Sequence, residues 1–352
     1  MSDGLIVTVL GAGASASCGY PMAKDLFPAI AVFGGSLGDN CTHLKTAIDH
    51  VIKKAEELGC TTPDDLAFQM HQSRGGGMPR YREAWRTLSY SRIATDAYFL
   101  FLERQVTVAQ LQGYKDYWHE ALGNYSDDWS GRFPRTRHRL LSFNYDRMPE
   151  LAIRRHFPGI TGDENVRDLW GSEILNTGLA SYSKYAVAES QFCYLKLHGS
   201  VGIETVGKRD VDHAFGRSTK HYYPLAKGIH EIADNLYFKE KVDEDGFPTP
   251  SKTPLLAFPA DKQRIEAGGE DYHFKDYISA VRPAAERVFA SAEEIRVVGY
   301  SFQAPDKDWL LSLIRIAPPD ARLILHNPAA PSICRRLKTY NQLTFEELAD
   351  VW

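Results

Sequence analysis

Residues 5–16 read LIVTVLGAGASA, a largely apolar run from Leu5 to Leu10 that passes directly into the loop Gly11-Ala12-Gly13-Ala14-Ser15-Ala16. The run predicts a buried strand, and the G-x-G-x-x-A spacing predicts a tight turn into a helix. Glycines in such a turn let the backbone approach a pyrophosphate, while the helix N-terminus offers N–H donors and the positive end of its dipole. The stretch therefore predicts an α/β protein with a phosphate-binding loop; a tight turn without a ligand is the alternative.

Other short apolar runs follow along the chain, bounded by glycines or polar turns: Leu140–Phe143, Phe192–Leu197, Leu255–Phe258, Ile295–Val298 and Leu323–Leu325. Each is largely apolar and does not show regular alternation with polar residues, as expected of parallel strands covered on both faces. Helices are predicted between the later runs, at Met148–His156, Phe274–Ala290, Lys307–Ala317 and Ile333–Tyr340. The pattern predicts a parallel sheet with helices on both faces.

The chain is longer than one such sheet needs. At about 150 residues per domain, 352 residues correspond to two domains or to one enlarged α/β domain. Residues 42–124 break the strand–helix alternation and carry apolar side chains at helical spacing. We therefore predict one α/β domain from residues 1–41 and 125–352, with 42–124 as a helical insertion or small helical domain. A second, more polar excursion runs from Gly202 to Pro254.

Charge and cysteine content restrict the functional class. The 41 Lys and Arg residues against 45 Asp and Glu residues give a net charge of −4, which argues against nucleic-acid binding by this chain alone. No two cysteines are spaced as CxxC, which argues for reduced intracellular thiols and against a zinc ribbon, and the histidines lack partners in metal-ligand spacing, so we predict no metal site. We interpret all five as small buried side chains: Cys18, Cys41, Cys60, Cys193 and Cys334.

The N-terminus lacks the features of a secretion signal, since no basic flank precedes the apolar run at Leu5–Leu10. No apolar stretch approaches the roughly 18 residues that a membrane span requires. We therefore expect a soluble cytoplasmic protein without a membrane partner.

Polar motifs follow four of the later predicted strands, where open α/β sheets bind ligands. They are Ser142-Phe143-Asn144-Tyr145-Asp146, Lys196-Leu197-His198-Gly199-Ser200, Val298-Gly299-Tyr300-Ser301-Phe302 and Leu325-His326-Asn327-Pro328. Each has a structural alternative. Asn144 or Asp146 could cap the helix at Met148–His156, His198 could be a satisfied core histidine, and the other motifs could be ordinary turns.

A dehydrogenase is disfavoured by the residues after the glycine loop. That class needs an acidic residue about 20 positions further on, at the end of a second strand. Here the region is Gly34–Asp39, a turn without a preceding strand.

Taken together and in order, the five motifs resemble those of the sirtuin (SIR2-like) superfamily, over a span from about Leu5 to Pro328. The resemblance implies a Rossmann-like sheet that binds NAD⁺. Three features separate this chain from deacylating sirtuins: it has no four-cysteine zinc module, Met22-Ala23-Lys24 follows Pro21 in place of Asp-Phe-Arg, and Phe143 replaces a glutamine. It is more similar to the SIR2-like NADases of bacterial anti-phage defence.

That resemblance implies an NAD⁺ glycohydrolase that forms nicotinamide and ADP-ribose and depletes cellular NAD⁺, with no metal. Asn144 would orient the water or ribose hydroxyls, His198 would polarise a ribose hydroxyl or accept its proton, and Asp146 would bind the carboxamide or favour the cationic transition state. The other residues assigned to NAD⁺ binding are Gly11, Ala12, Gly13 and Ser15 at the diphosphate, Ser301 and Asn327 at the adenosine ribose, and Pro21 and Gly299.

Two other functions remain open on the sequence: a zinc-free NAD-dependent deacylase or ADP-ribosyltransferase, and a non-catalytic subunit that senses NAD⁺ or ADP-ribose. Because a toxic NADase must be restrained, we also expect a homo-oligomer or a regulatory partner such as a HerA-type ATPase.

Overall fold

The computed structural model describes residues 4–73, 77–123, 136–156, 193–206, 218–221, 232–252, 254–266, 275–302, 306–337 and 344–348. The predicted ends Phe192, Phe274 and Tyr340 lie outside these ranges.

A six-stranded parallel sheet forms the centre of the fold. In chain order the strands of the protein are β1 (Leu5–Leu10), β2 (His138–Ser142), β3 (Cys193–Lys196), β4 (Gly199–Val206), β5 (Ser218–His221), β6 (Phe238–Val242), β7 (Pro248–Pro250), β8 (Pro254–Leu256), β9 (Ala292–Val298), β10 (Arg322–His326) and β11 (Thr344–Leu348). The sheet has the order β11-β10-β9-β1-β2-β3, with every pairing parallel. The predicted Rossmann-like α/β fold is confirmed.

Helices connect and cover these strands. They are α1 (Leu26–Ser36), α2 (Thr42–Leu58), α3 (Pro63–Ser73), α4 (Met78–Glu103), α5 (Gln112–Leu122), α6 (Met148–His156), α7 (Asp234–Tyr237), α8 (Pro259–Glu266), α9 (Lys275–Ala290), α10 (Lys307–Ile316) and α11 (Ala330–Leu337). The sequence predicted α6 with these bounds. It placed the start of α11 at Ile333, three residues later than the structure does.

The two faces of the sheet have separate cores. Leu140 and Leu141 are adjacent and both fully buried, yet they belong to different hydrophobic clusters, because successive side chains of a strand point to opposite faces. Helices α9, α10 and α11 supply one cluster, and α1 to α6 supply the other. Burial on both faces explains why consecutive residues such as Leu140 and Leu141 are both apolar.

The segment predicted as a helical insertion is helical in its described part, from α2 to α5. Its apolar side chains share one cluster with Leu140 and Tyr194 of the sheet. The buried Trp118 of α5 also donates its indole N–H to the Pro149 carbonyl of α6 at 2.9 Å. The inserted helices thus form a layer over the sheet and share its core.

One predicted strand is misplaced. The run Leu255–Phe258 contributes to β8, which pairs antiparallel with β4 in a separate three-stranded sheet that also contains β5. Gly199 makes the close approach possible: at φ +77°, a Cβ there would lie 1.9 Å from the Leu255 carbonyl oxygen. The prediction failed because an apolar run reports burial and does not say which sheet buries it.

Cys18, Cys41, Cys60 and Cys334 are free thiols; Cys18, Cys41 and Cys334 are buried as predicted, whereas Cys60 is partly exposed, so the prediction of burial is wrong for it. Within the described ranges, no helix has the length and apolar character that a membrane crossing demands.

Candidate active site

A cavity of about 700 Å³ opens at the carboxyl-terminal edge of the parallel sheet. Its lining includes residues that follow four of the six strands: Ala12, Asn144, Asp146, His198, Gly299 and Ser301. The volume lies within the roughly 300–1,000 Å³ of sites for small molecules and cofactors. Pro21 also lines it, so seven of the eleven predicted site residues meet at this cavity, while Gly11, Gly13, Ser15 and Asn327 are absent from its lining.

The glycines of the first loop pack against another loop. Gly11 donates its N–H to the Val298 carbonyl and Gly13 donates its own to the Gly299 carbonyl, each at 2.9 Å. Gly299 has φ +64°, and a Cβ there would lie 2.1 Å from the Ala14 nitrogen. The structure therefore uses these N–H groups to join the loops after β1 and β9, and it leaves Ala12 as the loop residue that borders the cavity.

The predicted helix after the glycine loop is a 3₁₀ helix, Ala12–Cys18. It ends at Gly19, whose φ of +86° is left-handed and whose N–H donates to the Ala16 carbonyl. Ser15 and Ser17 lie within this segment, and serine disfavours helix interiors because its hydroxyl competes for backbone groups.

Asn144 is held by its amide nitrogen. The Nδ2 group donates to the Gly11 carbonyl at 3.0 Å and to Ser15 Oγ at 3.2 Å, and Ser15 Oγ in turn lies 2.8 Å from the Tyr114 hydroxyl. Ser15 is thus a buried support for Asn144. No described residue donates a hydrogen bond to the Asn144 side-chain oxygen, which leaves an acceptor beside the cavity.

Asp146 both caps a helix and borders the cavity. Its Oδ1 accepts the Met148 N–H at 3.0 Å at the start of α6, which is the structural role the sequence offered as an alternative. Lys196 donates to the Asp146 backbone carbonyl. Burial raises the pKa of the Asp146 carboxyl, although the nearby Lys196 ammonium opposes the shift.

His198 is buried in an aromatic surround, with its ring centroid 5.4 Å from that of Phe143 and 5.5 Å from that of Tyr145. Its Nδ1 lies 2.9 Å from the Ala257 carbonyl oxygen, which can only accept, so Nδ1 carries a proton. In the neutral ring, Nε2 is therefore the basic nitrogen. Burial lowers the pKa of His198, which favours this neutral form.

Asn327 stabilises its own loop. Its Nδ2 donates to the Tyr300 carbonyl at 3.2 Å, and its Oδ1 accepts the Ala329 N–H at 2.8 Å. It holds the loop that carries Ser301 and does not itself border the cavity.

Three carboxylates of the cavity lining were not predicted: Asp64, Asp306 and the exposed Asp65. Asp306 precedes α10 and places Oδ2 2.8 Å from His198 Nε2, and Asp64 in the first turn of α3 accepts the Ala260 N–H at 2.8 Å. Burial raises the pKa of Asp64 to about 7, despite that hydrogen bond. No local pattern distinguishes Asp64 or Asp306 from an ordinary acid at a helix start; only tertiary packing brings them to the site.

The cavity fits the parts of NAD⁺ unevenly. Aromatic walls from Tyr20, Phe99, Phe143, Phe258 and Tyr300 suit planar rings, and the Asn144 oxygen and His198 Nε2 suit ribose hydroxyls. Positive charge for the diphosphate comes from Lys24 at the rim. Among the described residues, no group of three or more His, Cys, Asp or Glu side chains is arranged to hold a metal ion.

No protein-family model matches this chain, and a search of curated proteins finds no match. The likeness to SIR2-like NADases therefore rests on five short motifs and on their positions along the sheet.

Proposed function

We propose that this protein is an NAD⁺ glycohydrolase that releases nicotinamide and ADP-ribose. The observation that carries the proposal is that Asn144 and His198, from the ends of neighbouring strands β2 and β3, border one cavity together with the loop after β1. This arrangement agrees with the resemblance to SIR2-like NADases, which was inferred from the sequence motifs alone.

Cleavage of the nicotinamide–ribose bond requires little acid catalysis from the protein. Ordinary glycosidases need one carboxyl group to protonate the leaving group and a second as base or nucleophile. Nicotinamide departs as a neutral molecule from a cationic ring, so no acid is required. The site must hold the ribose as oxocarbenium character develops, exclude bulk water and admit one water molecule.

We assign each step to a cavity residue according to which of its side-chain atoms are already engaged in hydrogen bonds within the protein. The Asn144 oxygen orients the attacking water or a ribose hydroxyl, because the Asn144 nitrogen is already engaged with Gly11 and Ser15. His198 Nε2 accepts a proton from a ribose hydroxyl, since Nδ1 donates to Ala257. Asp146 faces the carboxamide or the developing cation.

The diphosphate would lie near Ala12 and Lys24. Gly11 and Gly13 would contribute by shaping the loop, because their N–H groups are used within the protein. Ser301 would contact the adenosine ribose, and Asn327 would act only through the loop that it stabilises.

One assay separates this function from its alternatives. Purified protein is incubated with NAD⁺, with and without an acylated peptide, and nicotinamide and ADP-ribose are followed by chromatography. We expect release that needs no peptide and is abolished by Asn144→Ala and by His198→Ala, but not by Asn235→Ala, which removes an exposed asparagine of α7. Release only with peptide would indicate a deacylase or an ADP-ribosyltransferase, and NAD⁺ binding without turnover would indicate a sensor.

The defence role and its control are proposed on the resemblance. We expect a homo-oligomer, or a complex with a partner such as a HerA-type ATPase, that restrains NAD⁺ cleavage until infection. Light scattering during size-exclusion chromatography measures the size of the assembly. A separate experiment infects cells that express either the wild type or His198→Ala and measures whether the NAD⁺ concentration falls only in the cells with the wild type.

A further inference from the structure

The contact between His198 and Asp306 joins two groups that are far apart in sequence and desolvated together. His198 is 2% exposed, and the Asp306 side chain is 17% exposed. Asp306 Oδ2 lies 2.8 Å from His198 Nε2, but not along the direction that a hydrogen bond from Nε2 requires. The oxygen therefore sits beside the basic nitrogen without forming a hydrogen bond to it, and the buried Nε2 has no hydrogen-bond partner among the described residues.

The tautomer of neutral His198 determines how Nε2 interacts with the Asp306 carboxylate. Because Nδ1 donates to the Ala257 carbonyl, Nε2 of the neutral ring carries a lone pair, and a carboxylate oxygen 2.8 Å from it is repelled. A proton taken up by Nε2 turns this repulsion into attraction between an imidazolium and a carboxylate. The pair thus favours proton uptake at an atom that burial alone would make a weak base.

A third group sets the charge of the pair. Lys262 of α8 is buried, with Nζ 3.7 Å from Asp306 Oδ1 and 4.1 Å from the centroid of the Trp309 ring. Although burial favours the protonated carboxyl, His198 and Lys262 hold the pKa of Asp306 below its usual range. Asp306 therefore stays ionised beside His198. The other titratable groups that face these residues are Asp64, Asp261, Tyr145 and Tyr300.

We propose that Asp306 is a positioning residue of the site: its carboxylate, kept charged by Lys262, stabilises the imidazolium that forms when His198 Nε2 accepts a proton from a ribose hydroxyl of the substrate. The catalytic part of this proposal rests on the proposed NAD⁺ cleavage. The proton moves from the hydroxyl to Nε2 and returns when the products form. Water replaces nicotinamide at the ribose carbon and loses one proton to the solvent, so the reaction consumes only NAD⁺ and water.

Histidine NMR tests the pair without any substrate. The protein is labelled with ¹³C at histidine Cε1, His198→Gln assigns the resonance, and its pH titration is compared between wild type, Asp306→Asn and Asp308→Asn. Asp306→Asn should lower the pKa of His198, because it removes the countercharge, whereas Asp308→Asn replaces an exposed acid of α10 and should leave the titration unchanged. An identical titration in wild type and Asp306→Asn would overturn the proposal.

A second variant should shift the pKa of His198 in the opposite direction. Lys262→Met removes the positive charge and should raise the pKa of His198. Opposite shifts in Asp306→Asn and Lys262→Met cannot both come from a general loosening of the site, and the Lys262→Met titration can still be measured if Asp306→Asn does not fold. Failure of Lys262→Met to raise the pKa would contradict the role of Lys262.

The pH dependence of NAD⁺ cleavage tests the catalytic consequence. In Asp306→Asn, kcat should fall on the order of 10-fold, less than the about 100-fold or more expected on losing the base itself, with little change in KM. The acid limb of kcat/KM should move to lower pH, and Asp306→Glu should restore it in part. A uniform fall in rate with an unmoved acid limb would mean a merely structural role and refute the proposal. If the NMR shifts appear but wild type does not cleave NAD⁺, the charge pair stands and the glycohydrolase assignment fails.

Discussion

Arg147 holds Glu103 through two parallel hydrogen bonds, from Nε and Nη2 to the two carboxylate oxygens, each 2.9 Å long. Both side chains are buried, with Arg147 fully inaccessible. The pair ties the last residue of α4 to the residue that follows Asp146, so the inserted helices directly support the loop of the candidate site.

Breaking this pair on one side should destabilise the protein strongly. Arg147→Met leaves the Glu103 carboxylate buried without a partner, and we expect the free energy of unfolding to fall by about 3–5 kcal/mol in urea denaturation. The double variant Glu103→Leu/Arg147→Met should recover most of the loss, because neither charge of the pair remains. Arg82→Met, which breaks an exposed pair with Glu244, is the control and should cost much less. Equal losses for Arg82→Met and Arg147→Met would disprove this account.

Ser15 should matter for Asn144 although it does not border the cavity. Ser15→Ala leaves the Tyr114 hydroxyl and one Asn144 amide contact without their shared partner, so we expect a loss of about 1–3 kcal/mol in unfolding free energy. NAD⁺ cleavage should also fall about 10-fold, because the Asn144 oxygen is less well fixed. Ser17→Ala, at an exposed position in the same 3₁₀ helix, serves as the comparison. Unchanged stability in Ser15→Ala would show that the network contributes nothing.

Asp64 should make stability depend on pH. Its pKa is raised from 3.8 to about 7 in the folded protein, chiefly by burial, so between these values the folded state keeps a proton that the unfolded state has lost. Its contribution to stability is therefore greatest at low pH and declines as pH rises from about 4 to 7. Asp64→Asn removes this titration. The melting temperature of Asp64→Asn minus that of wild type should therefore increase from pH 5 to pH 8. Asp65→Asn, the same change at the exposed neighbour, provides the reference. A constant difference between Asp64→Asn and wild type across this range would contradict the prediction.

Gly299 should tolerate no side chain. Gly299→Ala adds a Cβ 2.1 Å from the Ala14 nitrogen and also places alanine at a positive φ, so the loops after β1 and β9 must separate. Gly19→Ala carries the strain of a positive φ alone, since nothing lies within 4 Å of its Cβ, and should cost about 1–2 kcal/mol. We expect a larger loss of unfolding free energy and weaker NAD⁺ binding in Gly299→Ala, measured by thermal melts and calorimetry. Equal losses in the two variants would rule out the loop contact as the cause.

The sequence predicted those parts of the fold that local patterns encode. Strand β1 and helix α6 have the predicted bounds because apolar runs and helix caps are local signals, and Asn144, Asp146 and His198 meet at one cavity because strand ends share an edge. The association of β8 with β4 depends on the close approach of Gly199 to Leu255, which no apolar run reveals.

The remaining features of the site depend on contacts between distant residues. Asp306 reaches His198 across the cavity, and Asp64 reaches Ala260 through the packing of α3 on α8. The glycines of the first loop were assigned to phosphate, but a glycine required by a neighbouring backbone has the same local sequence as one required by a ligand.

The order of the central sheet constrains when the protein can become active during its own synthesis. Strand β1 emerges from the ribosome first, yet one of its two neighbours is β9, which ends at Val298. The cavity also needs Ser301 and Asp306, so it closes only after most of the 352 residues have been translated. A nascent chain or a product that terminates before Asp306 therefore contains no complete cavity.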